Sequence, residues 1–95
     1  MTAAQVQRHR APSTTDDLAR RLRRCRVDRA GISQADLAGM LQIGAHRVQH
    51  IEHGDSVPTA DEVARWTWVT GCGDQTTELV RMSSQRQGEV IEYPS

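Results

Sequence analysis

Apolar residues recur through the middle of this chain at helical spacing, and nowhere do they alternate strictly with polar ones as a half-buried strand requires. Leu18, Leu22 and Cys25 fall at i, i+4 and i+7 and make one apolar stripe, with Arg20, Arg21, Arg23 and Arg24 on the other faces. A hydroxyl at Thr14 or Thr15, ahead of Asp16 and Asp17, suits the start of that helix, and Gly31 suits its end. Ser33 is a good N-cap for a second, short helix through about Leu41, with Leu37, Ala38 and Leu41 on one side and Gln34 and Asp36 outward. A third helix spans about Gly44 to His53 and stops at Gly54. Beyond the loop GDSVPT, Thr59 followed three residues later by Glu62 is a capping box for a fourth helix, with Val63, Trp66 and Val69 inward. Gly71 and Gly73 bracket a break, after which Asp74 caps a fifth helix carrying Leu79 and Val80. Five short helices with short connections predict a compact all-α bundle.

The 95 residues close a single core, and that core is modest, with no Phe and one Tyr. Residues 1–13 are polar and aperiodic and read as a flexible arm, residues 14–84 as the domain, and residues 85–95 as a tail that is polar except for the stretch VIEY. No nucleophile–base set, phosphate loop or paired acids appears, so an enzyme is not expected, and nothing calls for a cofactor. Cys25 and Cys72 match no CxxC pattern and are expected to stay thiols in a reducing compartment. No apolar run approaches the roughly 20 residues that span a membrane, and no signal peptide is visible, so a cytoplasmic protein is expected.

The net charge is zero, yet unevenly spread. Residues 1–50 hold nine Arg against four acids, and residues 51–95 hold three Arg against eight acids. Such a chain can turn a basic face toward phosphates while its far side stays acidic, or simply carry a solvated Arg-rich helix. In the arm, Arg8 and Arg10 are candidates for contact with a DNA backbone or minor groove.

Gln34 to Ile51 is the most informative segment. A helix-turn-helix unit needs a small residue where its two helices nearly touch, a sharp turn, and an apolar back to the second helix. Ala38 supplies the small contact, Leu41 and Ile43 plug the turn, and Val48 with Ile51 forms the back. With Val48 set at zero and 100° per residue, the direction opposite this back is about 150°; His46 then lies near about 160°, Gln49 near 100°, His50 near 200° and His53 near 140°. An outward stripe of imidazoles and an amide, with no carboxylate to repel phosphate, has the composition of a groove-reading face.

The run GISQADLAGMLQIGAHRVQHIEHGDSVPT resembles the Cro and phage-repressor class of helix-turn-helix domains, also called the xenobiotic-response-element family. SQADLA, the Val48 and Ile51 pair, Glu52 with Gly54, and Pro58 carry the likeness over roughly residues 18–71. The resemblance implies a lambda-repressor-like bundle and a transcriptional regulator that binds double-stranded DNA as a homodimer, on half-sites about one helical turn apart. By that likeness Ala45, His46, Gln49 and His50 are expected at base edges, and Gln34, Arg47 and His53 at the backbone. It also implies a partner from the first helix for Glu52. Arg26 is the candidate, although it stands one residue further from Gly31 than expected, where Val27 occupies the nearer place. Members usually carry Gly where this chain has Gln42, and Ser or Thr where it has Gly44, so a strained turn and a weaker cap are expected.

Other readings stay open beside this one. His46, His50 and His53 recur at i, i+4 and i+7, a spacing that suits a zinc ion, but neither Cys nor carboxylate nearby completes the set. Trp66 belongs to the core, while Trp68, two positions on, is left partly exposed for a dimer contact or as a surface shield. The dimer contact is expected in the fifth helix and tail. An antitoxin-type interaction module, docking VIEY on a protein partner and autoregulating through DNA, is the alternative.

Overall fold

The structure is a computed structural model describing residues 14–92, with the side chains of residues 15–85. The arm with Arg8 and Arg10, and the side chains of the VIEY stretch, lie outside the described residues. Five α-helices follow one another: α1 (Thr14–Arg24), α2 (Gln34–Leu41), α3 (Ala45–His53), α4 (Ala60–Thr70) and α5 (Thr76–Glu92). Among the described residues there is no strand. A π-helical stretch, Cys25–Ala30, prolongs α1, and a single 3-10 turn, Gly73–Gln75, leads into α5. The all-α five-helix bundle expected from the periodicity is the fold observed. Its last helix runs on to Glu92, through residues read from the sequence as tail.

Local chemistry sets most of the boundaries. Ser33 accepts a hydrogen bond from the Asp36 N–H at 3.0 Å and opens α2. Thr59 and Glu62 exchange two bonds, Glu62 N–H to Thr59 Oγ1 at 3.0 Å and Thr59 N–H to Glu62 Oε1 at 2.9 Å, and open α4. By contrast Gly44 opens α3 with no side-chain cap, as its missing hydroxyl dictates. Gln42 closes α2 in the left-handed region at φ 60°, the one non-Gly residue with positive φ among the described residues. Gly54 closes α3 at φ 81°, a left-handed conformation that favours glycine, and a Cβ there would also require the Asp16 carboxylate, 2.8 Å away, to shift.

The core gathers Leu18, Leu22, Leu37, Leu41, Val48, Ile51, Val63, Trp66 and Leu79, all essentially closed to water. Trp66 lies wholly inside and donates its indole N–H to the Leu22 carbonyl at 3.0 Å, which links α4 to α1. Ser83 on α5 donates to the Pro58 carbonyl and ties the last helix to the loop ahead of α4. Trp68, on the opposite side of α4, is 81% exposed.

One expectation is corrected. Cys25 and Cys72 are not separate thiols: they form a disulfide that joins the start of the π stretch to the turn after α4, with Cα atoms 6.0 Å apart. The two cysteines are 47 residues apart in the chain, so no local spacing announced the bond. Charge is also shared between the halves: among the described residues, four arginines of the first half reach acids of the second, in the pairs Arg21–Glu78, Arg26–Glu52, Arg29–Asp74 and Arg47–Glu62, while Arg23 and Arg24 are exposed without an ion-pair partner.

Candidate functional site

α2 and α3 pack on each other and bury the small Ala38 with Leu37, Leu41, Val48 and Ile51. The turn is tight because Gln42 takes the left-handed conformation and the Ile43 N–H donates to the Ala38 carbonyl at 3.0 Å. Burying Val48 and Ile51 completely fixes the rotation of α3 about its axis. Ala45, His46, Gln49, His50 and His53 are therefore all exposed, and they lie on one side of the helix. The imidazoles face solvent rather than the core. Among the described residues, no three His, Cys, Asp or Glu side chains are grouped so as to hold a metal ion.

Behind this face sits a three-residue network. Arg26 donates through Nε to Glu52 Oε2 at 2.6 Å and through Nη2 to Oε1 at 3.0 Å, a bidentate pair. Its remaining Nη1 donates to the Ile32 carbonyl at 2.8 Å. Side-chain exposure is 11% for Arg26 and 1% for Glu52, so the pair is shielded from screening by solvent. The π stretch explains how Arg26 reaches so far. The Gly31 N–H donates to the Arg26 carbonyl five residues back, at 2.8 Å, and the wide turn absorbs one extra residue. Arg26 is thereby brought round to Glu52, and Val27 is left exposed.

Gln34 is the third member. Its amide Nε2 donates to Glu52 Oε1 at 2.9 Å, which holds the side chain at the first turn of α2. One amide hydrogen is thus committed, and the second hydrogen and the carbonyl oxygen remain for other partners. This bond was not anticipated from the sequence, which gave Gln34 no internal partner.

Arg47 is placed differently from expectation. Rather than standing clear at the side of α3, it donates to Glu62 through Nε at 3.0 Å and Nη2 at 2.7 Å, and weakly to the Val57 carbonyl at 3.4 Å. Glu62 had been legible only as a cap; its carboxylate also clamps α3 to the start of α4. The Arg47 guanidinium holds the Glu62 carboxyl below the usual carboxylate range, against partial burial and with help from the Thr59 N–H. The same bond raises Arg47 further above its ordinary value. Because the folded-state value of Glu62 is depressed, its stabilising contribution is complete above about pH 4.3, the unfolded range, and is lost as pH falls through the lower folded value. Melting curves recorded on acidification should therefore fall more steeply for the native chain than for Glu62→Gln below about pH 4.5. Identical acid limbs contradict the assignment.

A further group that helical spacing did not reveal is Asp55. It follows the α3 cap and returns to within 3.7 Å of His50, Oδ2 to Nδ1. One carboxylate therefore borders the exposed stripe.

The comparisons with known proteins agree with this geometry. A family model described as a helix-turn-helix domain matches residues 17–80. No curated protein and no solved structure matches the chain.

Proposed function

The chain belongs to the helix-turn-helix domain family, and from that premise we propose that it is a sequence-specific transcriptional regulator that reads duplex DNA in the major groove with α3. The observation that carries this reading is the exposed row His46, Gln49 and His50, set on a helix whose back is fully buried. Gln49 suits adenine through N6 and N7, His46 and His50 suit the acceptors of guanine, and Ala45 suits a thymine methyl. Gln34, steadied by Glu52, is the donor to a phosphate, with His53 a second backbone contact. Arg47 holds α3 in place through the Nε and Nη2 bonds to Glu62, and its Nη1, on a side chain 34% exposed, is the group proposed for phosphate contact. A homodimer on half-sites about one helical turn apart is part of the proposal, with the contact in the fifth helix and tail.

No helix among the described residues is long and apolar enough to cross a membrane. The interior use of arginine has a consequence for binding. Among the described residues only Arg23, Arg24 and Arg81 lack an ion-pair partner. Few cations of the described residues are left for phosphates, so their share of the fall of log K with log salt should be a shallow slope of about −2 to −3 per chain. Fluorescence anisotropy with mixed-sequence duplexes over a salt series tests the reading. Failure to bind any duplex in dilute buffer overturns it.

A further inference from the structure

α1 packs against α3 along one of its edges, and two residues mark that edge. The Asp16 carboxylate lies beside Gly54, where α3 ends. Arg26, just past the other end of α1, reaches the Glu52 carboxylate. Ala19, between them, is closed to water. Arg23 stands on the same edge, two helical turns after Asp16 and within about 20° of it around the axis.

Nothing in the fold engages the Arg23 side chain. It is exposed and makes neither an ion pair nor a side-chain hydrogen bond among the described residues. Asp17 and Glu52, which border the same stretch, are taken by Arg20 at 2.9 Å and by Arg26. Arg24 is equally exposed and equally without an ion-pair partner, but it is rotated from Arg23 by about 100°. That rotation puts it on the flank of Arg21, which turns to Glu78 and Met82 of α5, and both arginines line one cavity there. Two adjacent arginines of the same charge and freedom thus sit on opposite flanks of α1.

The Arg23 flank leads to the exposed side of α3. Gln49 lies one turn before Glu52 and His53 directly after it, while Gln34 donates to Glu52 from the first turn of α2. A duplex seated against Gln49 and Gln34 therefore carries a sugar–phosphate strand along this edge of α1. We propose that Arg23 is a contact for a phosphodiester oxygen on the strand held by Gln34, and that Arg24 is not. The assignment rests on the reading of α3 as the groove-reading helix and adds to it a cation from α1. A guanidinium offers paired N–H donors to the two free oxygens of a phosphate, a contact that fixes position without reading sequence.

Fluorescence anisotropy of the full chain tests it, with a duplex selected from a random pool and a mixed-sequence duplex, each over a salt series. Arg23→Gln should weaken both complexes alike, by roughly fivefold in dilute buffer, and make the slope of log K against log salt shallower by about 0.9. Arg23→Lys keeps the charge and should recover affinity to within about twofold of the native chain. Arg24→Gln removes the same charge from the other flank and should also stay within about twofold. Both positions are exposed, so no variant should shift the melting temperature. Equal losses in Arg24→Gln and Arg23→Gln overturn the assignment, because net charge alone then accounts for them. So does an Arg23→Gln chain that binds as tightly as the native one, or that loses affinity for the selected duplex only. A native chain that binds neither duplex sinks the α3 reading itself, and this contact with it.

Discussion

Replacing Glu52 by Ala is expected to destabilise the domain by about 3–5 kcal/mol, a large share of what a domain of this size possesses. The loss arises less from the missing attraction than from what stays behind. Arg26 keeps its charge at 11% side-chain exposure, with Nε and Nη2 deprived of their acceptors. Gln34 loses the acceptor that steadies its amide. The melting midpoint should drop by roughly 15–25 °C. A companion variant separates the two causes. If orphaned charge dominates, Arg26→Met combined with Glu52→Leu should be more stable than Glu52→Ala alone, because two apolar side chains need no partners. A midpoint within a few degrees of the native chain for Glu52→Ala contradicts this description of the network.

The second large effect concerns binding. Truncating His46, Gln49 and His50 together to Ala should weaken binding to the preferred duplex by roughly two to three orders of magnitude, since each good base contact discriminates by about 1–3 kcal/mol. All three side chains are exposed and absent from the core, so the melting temperature should hardly move. Weak binding to arbitrary duplexes should persist, because contacts to phosphates by Gln34 and His53 do not depend on sequence. A variant that still prefers the native chain's site by the same margin removes base reading from this face.

Much of the fold could be read from single residues whose effects are local. Ser33, and Thr59 with Glu62, announce helix starts because the bonds they make lie within one turn. Val48 and Ile51 orient α3 because three-residue spacing alone puts both on one side, and that side is closed to water in the structure. The positive φ of Gln42 was legible only through the likeness to a family that keeps Gly there.

What escaped the reading depends on contacts between distant segments. The extra residue ahead of Gly31 looked like a misfit for Arg26; only the π turn, an i to i+5 bond that no local pattern signals, brings it to Glu52. The helical period puts Arg47 at the side of α3. Whether such a side chain meets a phosphate or a neighbouring helix depends on where α4 begins, and Glu62 is there. Asp55 lies beyond the helical period and returns through a turn. Cys25 and Cys72 carry no mutual signal across the 47 residues between them. The evenly matched charges are a related case, because counting Arg and acids by halves cannot show which of them pair across the halves.

The most direct test of the central claim is selection of bound duplexes from a random pool, carried out in parallel with the native chain and with Gln49→Ala. The account predicts that the native chain enriches a short motif, repeated about one helical turn apart, and that Gln49→Ala relaxes one position of each half while leaving the spacing intact. A native chain that enriches no motif, or a motif unchanged in Gln49→Ala and in each single His46→Ala and His50→Ala variant, contradicts the claim that α3 reads the bases.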